Sequence, residues 1–412
     1  MIAILLYPLF FLILLYSTKR KGKHLVYTML LSFYLLSVLC STYLVLCSEK
    51  FTVHTMGIAA VLFHIMAFYI LLKPVYKIDE LRYSTLKKVP ERTIVHFTLF
   101  IVLVEIVDFF ANIGTVSINS ILEDANGLRQ EMVGSGLGLA NNSFIAYFHV
   151  FAQEFQLVPL VLFFYWAITY PKNKGVIILL LIVSLFYPIL SLRVVSRDVI
   201  IRYLVLFIIF YYLLSPKISQ TTKKRIGIFF SIVAFLFIGL FFIISTSRFG
   251  ATSNYDNSMS YSFLFYFGQG FANFSDRFVL SPDGIFPNSH GSIHFPIIPG
   301  EGRSSLFLSD ETNVRYSLNT FPTSIGTWIE DCGIAISCFI LFIYAFLIRV
   351  ISNIKTKNVF TLIYYIWVYD FIYMSVFYFD AKVYIYKILA ILFIVYLDYS
   401  TRRSVTTFHL HA

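Results

Sequence analysis

Long apolar runs, each close to the length of a membrane-spanning helix, alternate along this chain with short basic connectors. A hydrocarbon core about 30 Å thick takes about 20 apolar residues as a helix. On that measure eleven spans are predicted, near 1–17, 25–47, 55–72, 93–111, 143–169, 176–192, 199–214, 226–246, 321–348, 359–378 and 383–399. The expected fold is an all-α polytopic membrane protein in three stretches. Spans one to eight with short loops occupy 1–246, one long polar loop occupies 247–320, and spans nine to eleven with a tail occupy 321–412. Nothing basic precedes the first span, while Lys19, Arg20, Lys21 and Lys23 follow it. A cleaved secretory signal has the reverse order, so this span reads as an anchor.

Composition supports that class. Hydrophobic residues make up 58%, charged residues 13%, and mean hydropathy is +0.78, whereas soluble domains carry about 25% charged residues. The net charge of +10 does not point to a nucleic acid, because the basic residues follow the loops. Loops 18–24, 73–92, 170–175, 215–225, 349–358 and the tail after 399 hold 21 of the 32 Lys and Arg. That bias marks these loops as cytoplasmic. The amino terminus, 112–142, 191–198 and 247–320 then face outward, and the carboxyl terminus faces inward. Cys40, Cys47, Cys332 and Cys338 all lie in or beside apolar spans, so no structural disulfide is expected. No GxxxxGK[ST], HExxH or CxxC occurs, and no inner loop is large enough to hold a nucleotide domain.

The candidate chemistry begins with arginines on the outward side. Arg193, Arg197 and Arg202 fall within ten residues between spans six and seven. Arg193 and Arg197 share a face if that joint is helical. Arg202 lies inside the next span, where a charge lines a polar cavity or meets a partner. Arg248 follows span eight in Ser-Arg-Phe-Gly, and Arg129, Arg277, Arg303 and Arg315 lie further along the outward segments. A guanidinium fork suits phosphate, so a lipid diphosphate fits. Pairing with Asp198 and Asp276 is the rival reading.

Acids inside spans are the second group: Glu105 with Asp108, Glu154, Glu330 with Asp331, and Asp370. Such residues are functional candidates by default. For Glu105 and Asp108 structural pairing with the arginines is the preferred reading, with a proton relay as the alternative. His290 and His294 sit among Pro287, Gly291 and Pro296, which argues against a helix and so against zinc. One of them is a candidate general base. His64, His96 and His149 read as packing or interfacial residues. The long loop carries fourteen Phe or Tyr and reads as a folded cap. Within it, Tyr261–Phe274 is interrupted by Gly268 and Gly270, which suggests an interfacial or re-entrant piece.

Several features together resemble the Wzy-type oligosaccharide repeat-unit polymerases. They are the basic inner loops, the outward arginines, Arg248 directly after a span, the Arg193/Arg197 joint, and the run Asn319-Thr320…Asp331-Cys332-Gly333 after the long loop. The resemblance covers nearly the whole chain in layout. It implies a fold similar to the metal-independent, GT-C-like integral-membrane glycosyltransferases, placed in a bacterial inner membrane and acting at its periplasmic face. The implied reaction joins an undecaprenyl-diphosphate-linked oligosaccharide donor to a lipid-linked acceptor and releases undecaprenyl diphosphate, without a cofactor or metal. By the same resemblance Arg248, Asp331 and His290 are catalytic, with Asp331 and His290 both candidates for the base. Arg193, Arg197, Arg202, Arg277, Arg315 and Arg129 would bind substrate, and a chain-length regulator and a flippase are implied partners. The O-antigen ligase is a sibling with a similar plan. Its His-Asn pairing is not evident here, since Gly291 and Phe295 follow His290 and His294. A lipid-linked oligosaccharide exporter would commonly show two related halves, and none are visible.

Overall fold

The computed structural model describes residues 2–20, 24–48, 56–113, 143–194, 198–250, 259–279, 323–377 and 384–410. Among these there is helix and no named strand. Among the described residues seven helical stretches are long and apolar enough to cross a membrane, and an eighth is obtained if the pair Tyr147–Gln153 and Val158–Thr169, bent by 44°, counts as one span. Many apolar side chains on these helices face outward, including Leu9, Leu12 and Ile13 near the amino terminus and Phe339, Phe342 and Phe346 near the carboxyl end. Monomeric soluble proteins rarely expose such continuous apolar surface. A helix that is apolar all round needs either a core or lipid about it. The chain is a multi-pass membrane protein.

The helices form two compact units that interleave along the sequence. Residues 1–80, 260–353 and 368–382 make the first, and 81–259, 354–367 and 383–412 the second.

The first unit contains α1 (Leu6–Arg20), α2 (Leu25–Cys47), α3 (Ile58–Leu72), then α11 (Met259–Val279) and α12 (Ser324–Ser352). A 3-10 turn, Lys73–Arg82, prolongs α3 and places Asp79 at the start of α2. There its carboxylate accepts the Tyr27 amide (3.1 Å) and the Tyr369 hydroxyl (3.3 Å). A negative group at the positive end of a helix satisfies donors that have no intrahelical partner. The centre of the unit is aromatic. Phe271 of α11 meets the rings of Tyr7, Phe11, Tyr34, His64 and Phe68. His64 is fully buried and bridges two hydroxyls, Tyr7 at 2.7 Å and Thr323 at 2.7 Å. Thr323 also caps α12, accepting the Gly326 amide.

Two expectations change here. The aromatic stretch read as broken by glycines is one continuous 21-residue helix. Its glycines are points of close approach: Gly268 lies against the backbone of Cys40 and Ser41, and Gly270 against the Val376 carbonyl. Small residues let membrane helices meet backbone to backbone. Phe267, Phe271, Ala272 and Phe274 are buried by that approach. The second change is in α12, which breaks at Gly333 (φ 72°, ψ 171°), a conformation open essentially to glycine alone. The Asp331-Cys332-Gly333 run therefore marks a helix break.

The second unit contains α4 (Glu91–Asn112), α5 (Ser143–Gln153), α6 (Val158–Thr169), α7 (Lys174–Val183), α8 (Phe186–Leu190), α9 (Asp198–Leu214) and α10 (Gln220–Gly250), together with α14 (Tyr384–Leu410). Between these two carboxyl-terminal neighbours α13 (Val359–Met374) divides at residue 367, its first part belonging here. Pro90 stands just before α4, and Pro159 lies in the first turn of α6, where the missing N–H costs nothing. Phe393 packs on Phe97, Phe100 and Phe155. The Arg402 guanidinium donates twice to Asp398 (2.9 and 2.8 Å), whose Oδ1 also accepts Asn358.

Candidate functional site

The polar heart of the second unit is assembled from α4 and α5. Glu105, Asp108 and Asn112 recur at three- and four-residue spacing, so they share a face of α4, and all three are buried. On α5, His149 and Gln153 stand one turn apart and meet that face. Both Asp108 oxygens lie within reach of His149 Nδ1, at 2.8 and 3.0 Å. Asn112 Nδ2 donates to Asp108 Oδ1 (3.0 Å) and to its carbonyl (2.9 Å). Gln153 Nε2 contacts His149 Nε2 at 3.0 Å.

This network assigns the histidine tautomer. A carboxylate only accepts, so the proton sits on Nδ1 and points at Asp108. Nε2 is then the acceptor of the Gln153 amide. Chemically this is an imidazole whose orientation and tautomer are held by an acid on one nitrogen, with a basic lone pair on the other, the arrangement by which a histidine serves as general base. Asp108 and His149 also form an ion pair when the ring is protonated.

Two buried oxygens nearby have no hydrogen-bond partner: Oε1 of Glu105, one turn before Asp108, and Oε1 of Gln156. Gln156 lies in residues 154–157, where the helix is interrupted between α5 and α6. Short turns replace the α-helical ladder there, with Phe155 N–H donating to the Ala152 carbonyl and Val158 N–H to that of Phe155. Irregular backbone within a membrane is tolerated where it is buried in protein or lines a polar cavity. Gln153, just before the break, meets the histidine of the acid–histidine pair.

A cation stands at the same end of the unit. The Phe109 ring stacks on Phe186 of α8 at 4.0 Å. Its neighbour Tyr187 receives Arg202 from the first turns of α9, with Nη1 3.0 Å from the hydroxyl and the guanidinium 5.6 Å from the ring centre. Of the outward arginines named from the sequence, Arg202 is the one whose side chain is described. Of Arg193, Arg248, Arg277 and Asp331 the backbone alone is described, and Arg129, Arg197, His290 and Arg315 lie outside the described residues.

For Asp108 the preferred pairing with arginines is corrected. Its partner is His149, for which the sequence predicts a packing or interfacial role. Glu105 meets no cation among the described residues. The available signal was His149 with Gln153 one turn apart within a predicted span. Its meaning depended on α4, 41 residues away. Among the described residues no three His, Cys, Asp or Glu side chains gather as a metal site. Comparison with protein-family models, with curated proteins and with solved structures found no match to this chain.

Proposed function

We propose that this chain is a glycosyltransferase that polymerises undecaprenyl-diphosphate-linked oligosaccharide repeat units at the periplasmic face of a bacterial inner membrane. The observation that carries the reading is the buried Asp108–His149 pair, which Gln153 meets from its exposed side, with Arg202 at the same end of its helix bundle. The bias of Lys and Arg among the loops assigns that end to the outward side. Eleven spans, an outward amino terminus, an inward carboxyl terminus and a GT-C-like plan belong to the same proposal.

In this reading the acceptor hydroxyl takes the place of the Gln153 amide at His149 Nε2. Its oxygen attacks the anomeric carbon of the donor, the carbon–oxygen bond to the diphosphate breaks, and the bonding pair leaves with undecaprenyl diphosphate. The proton passes to Nε2, and Asp108 stabilises the imidazolium. Arg202, with Arg193, Arg197, Arg248, Arg277, Arg315 and Arg129, meets the diphosphate, where preorganised positive groups stabilise the charge that develops on the leaving group. Asp331 and His290 are the alternative bases, and Asp331 stands at the break of α12.

One observation favours a second reading. Buried carboxyls and a histidine beside an interrupted helix also suit a proton-coupled exporter of lipid-linked oligosaccharide. The test is a gel of surface glycan from a deletion strain with lipid-linked intermediates profiled alongside. Collapse of a long ladder to single repeat units on the acceptor supports the polymerase. Long polymer stranded on the lipid carrier means a ligase, and single units trapped on the inner leaflet mean an exporter. Complementation with His149→Gln separates the bases: a full ladder from that variant removes His149 from the reaction.

A further inference from the structure

At the opposite end of the second unit, a groove of about 610 Å³ runs along α10. It is lined by Gln220, Lys223, Lys224, Gly227, Ile228, Ser231 and Ile232 of α10 with Tyr211 of α9. From Gln220 to Ile232 is twelve residues, about 18 Å of helix. The lining changes character along that length, from a cationic end at Lys223 and Lys224 to an apolar end at Ile228 and Ile232. The middle is open because Gly227 has no side chain, and a Cβ built there meets nothing within 4 Å. The Ser231 hydroxyl is already committed to the Gly227 carbonyl (2.9 Å).

Lys223, Lys224 and Arg225 make no ion pair among the described residues. Just before α10, Lys217 Nζ donates to the carbonyls of Leu81 (2.6 Å) and Arg82 (3.0 Å). Arg82 in turn donates to the Tyr212 carbonyl (2.6 Å) and lies 4.0 Å from the Tyr212 ring centre. Two cations are thus fixed side by side by backbone oxygens and an aromatic face. Membrane sidedness requires basic residues at this end, but it does not require a groove that grades from charged to apolar over the length of a lipid headgroup and upper acyl chain.

We propose that this groove binds one anionic phospholipid, its phosphate at Lys223 and Lys224 and an acyl chain laid over Gly227 towards Ile232. The site is independent of the glycosyl-transfer reading and acts at the other end of the bundle. Charge complementarity selects the anionic headgroup, and the helix-aligned apolar floor selects a lipid over a soluble phosphate.

The experiment uses full-length protein purified in detergent, with bound lipid counted by native mass spectrometry. Phosphatidylglycerol and phosphatidylcholine are titrated separately, and inorganic phosphate is added as competitor. Phosphatidylglycerol is expected to bind preferentially and to resist millimolar phosphate. Two lysines near a lipid headgroup contribute about 1 kcal/mol each, so Lys223→Gln with Lys224→Gln should weaken it roughly thirtyfold. Gly227→Leu keeps every charge and fills the open middle, and it should also abolish retention of the lipid. Its melting temperature serves as the folding control, and a Cβ at that position has open space around it. Equal binding of the two lipids, displacement by inorganic phosphate, or wild-type retention by either variant would each overturn the proposal.

Discussion

Replacing Gly268 by alanine tests the packing of α11 against α2 directly. A Cβ at that position would stand 2.6 Å from Ser41 N, 2.7 Å from Cys40 C and 2.9 Å from Cys40 O. Ordinary contact begins near 3.4 Å, so the helices must part by about 0.8 Å (3.4 − 2.6). All three obstacles are backbone atoms, and no side chain can swing aside. A gap of 0.5–1 Å forfeits roughly a quarter to a half of each contact's dispersion energy. The neighbours on α11 that would lose it, Phe267, Phe271, Ala272 and Phe274, are all buried. The hydrogen bond from the Ser37 hydroxyl to the Phe267 carbonyl would stretch as well. Overpacking costs about 1–3 kcal/mol in general, and a backbone obstacle puts this case at the top of that range. For a unit of this size about 3 kcal/mol lowers the melting temperature by roughly 6–12 °C. The assay is thermal unfolding of the detergent-purified protein, read as loss of the monodisperse peak after heating. Gly239→Ala is the internal control, because nothing lies within 4 Å of its Cβ and alanine gains up to about 1 kcal/mol in a helix. If Gly268→Ala melted with or above the wild type while Gly239→Ala behaved as expected, α11 would not be seated against α2.

The remaining expectations are more compact. Asp108→Ala leaves His149 and Asn112 buried without their shared acceptor, a loss of about 3–5 kcal/mol for a broken buried pair, and its melting curve should lie well below that of Asp108→Asn. Gly333→Ala forces a Cβ into a backbone region reserved for glycine, at about 1–3 kcal/mol; an unchanged melting point would mean that α12 runs straight through that position. Arg248→Ala is expected to abolish chain extension at normal protein levels, and near-normal long glycan from that variant would remove Arg248 from the reaction.

Local information carried the class of this protein. The apolar runs and the basic connectors follow from a few neighbouring residues each, because the hydrogen bonds of a membrane helix close within its own segment. The bent pair α5–α6 was also visible as one long apolar run, although its interruption at 154–157 was not. The polar candidates on α4 could be picked out one by one, since charge in a span is costly. Their partners could not. Asp108 and His149 meet across 41 residues, and His64 and Thr323 across 259. Nothing in the short-range pattern distinguishes a histidine that packs from one that answers an acid. The glycines of α11 make the same point from the other side. In isolation Gly268 and Gly270 read as a break in an aromatic segment. Against Cys40, Ser41 and Val376 they are where helices touch. A missing side chain means flexibility or close approach depending on what stands opposite, and tertiary packing alone places that neighbour.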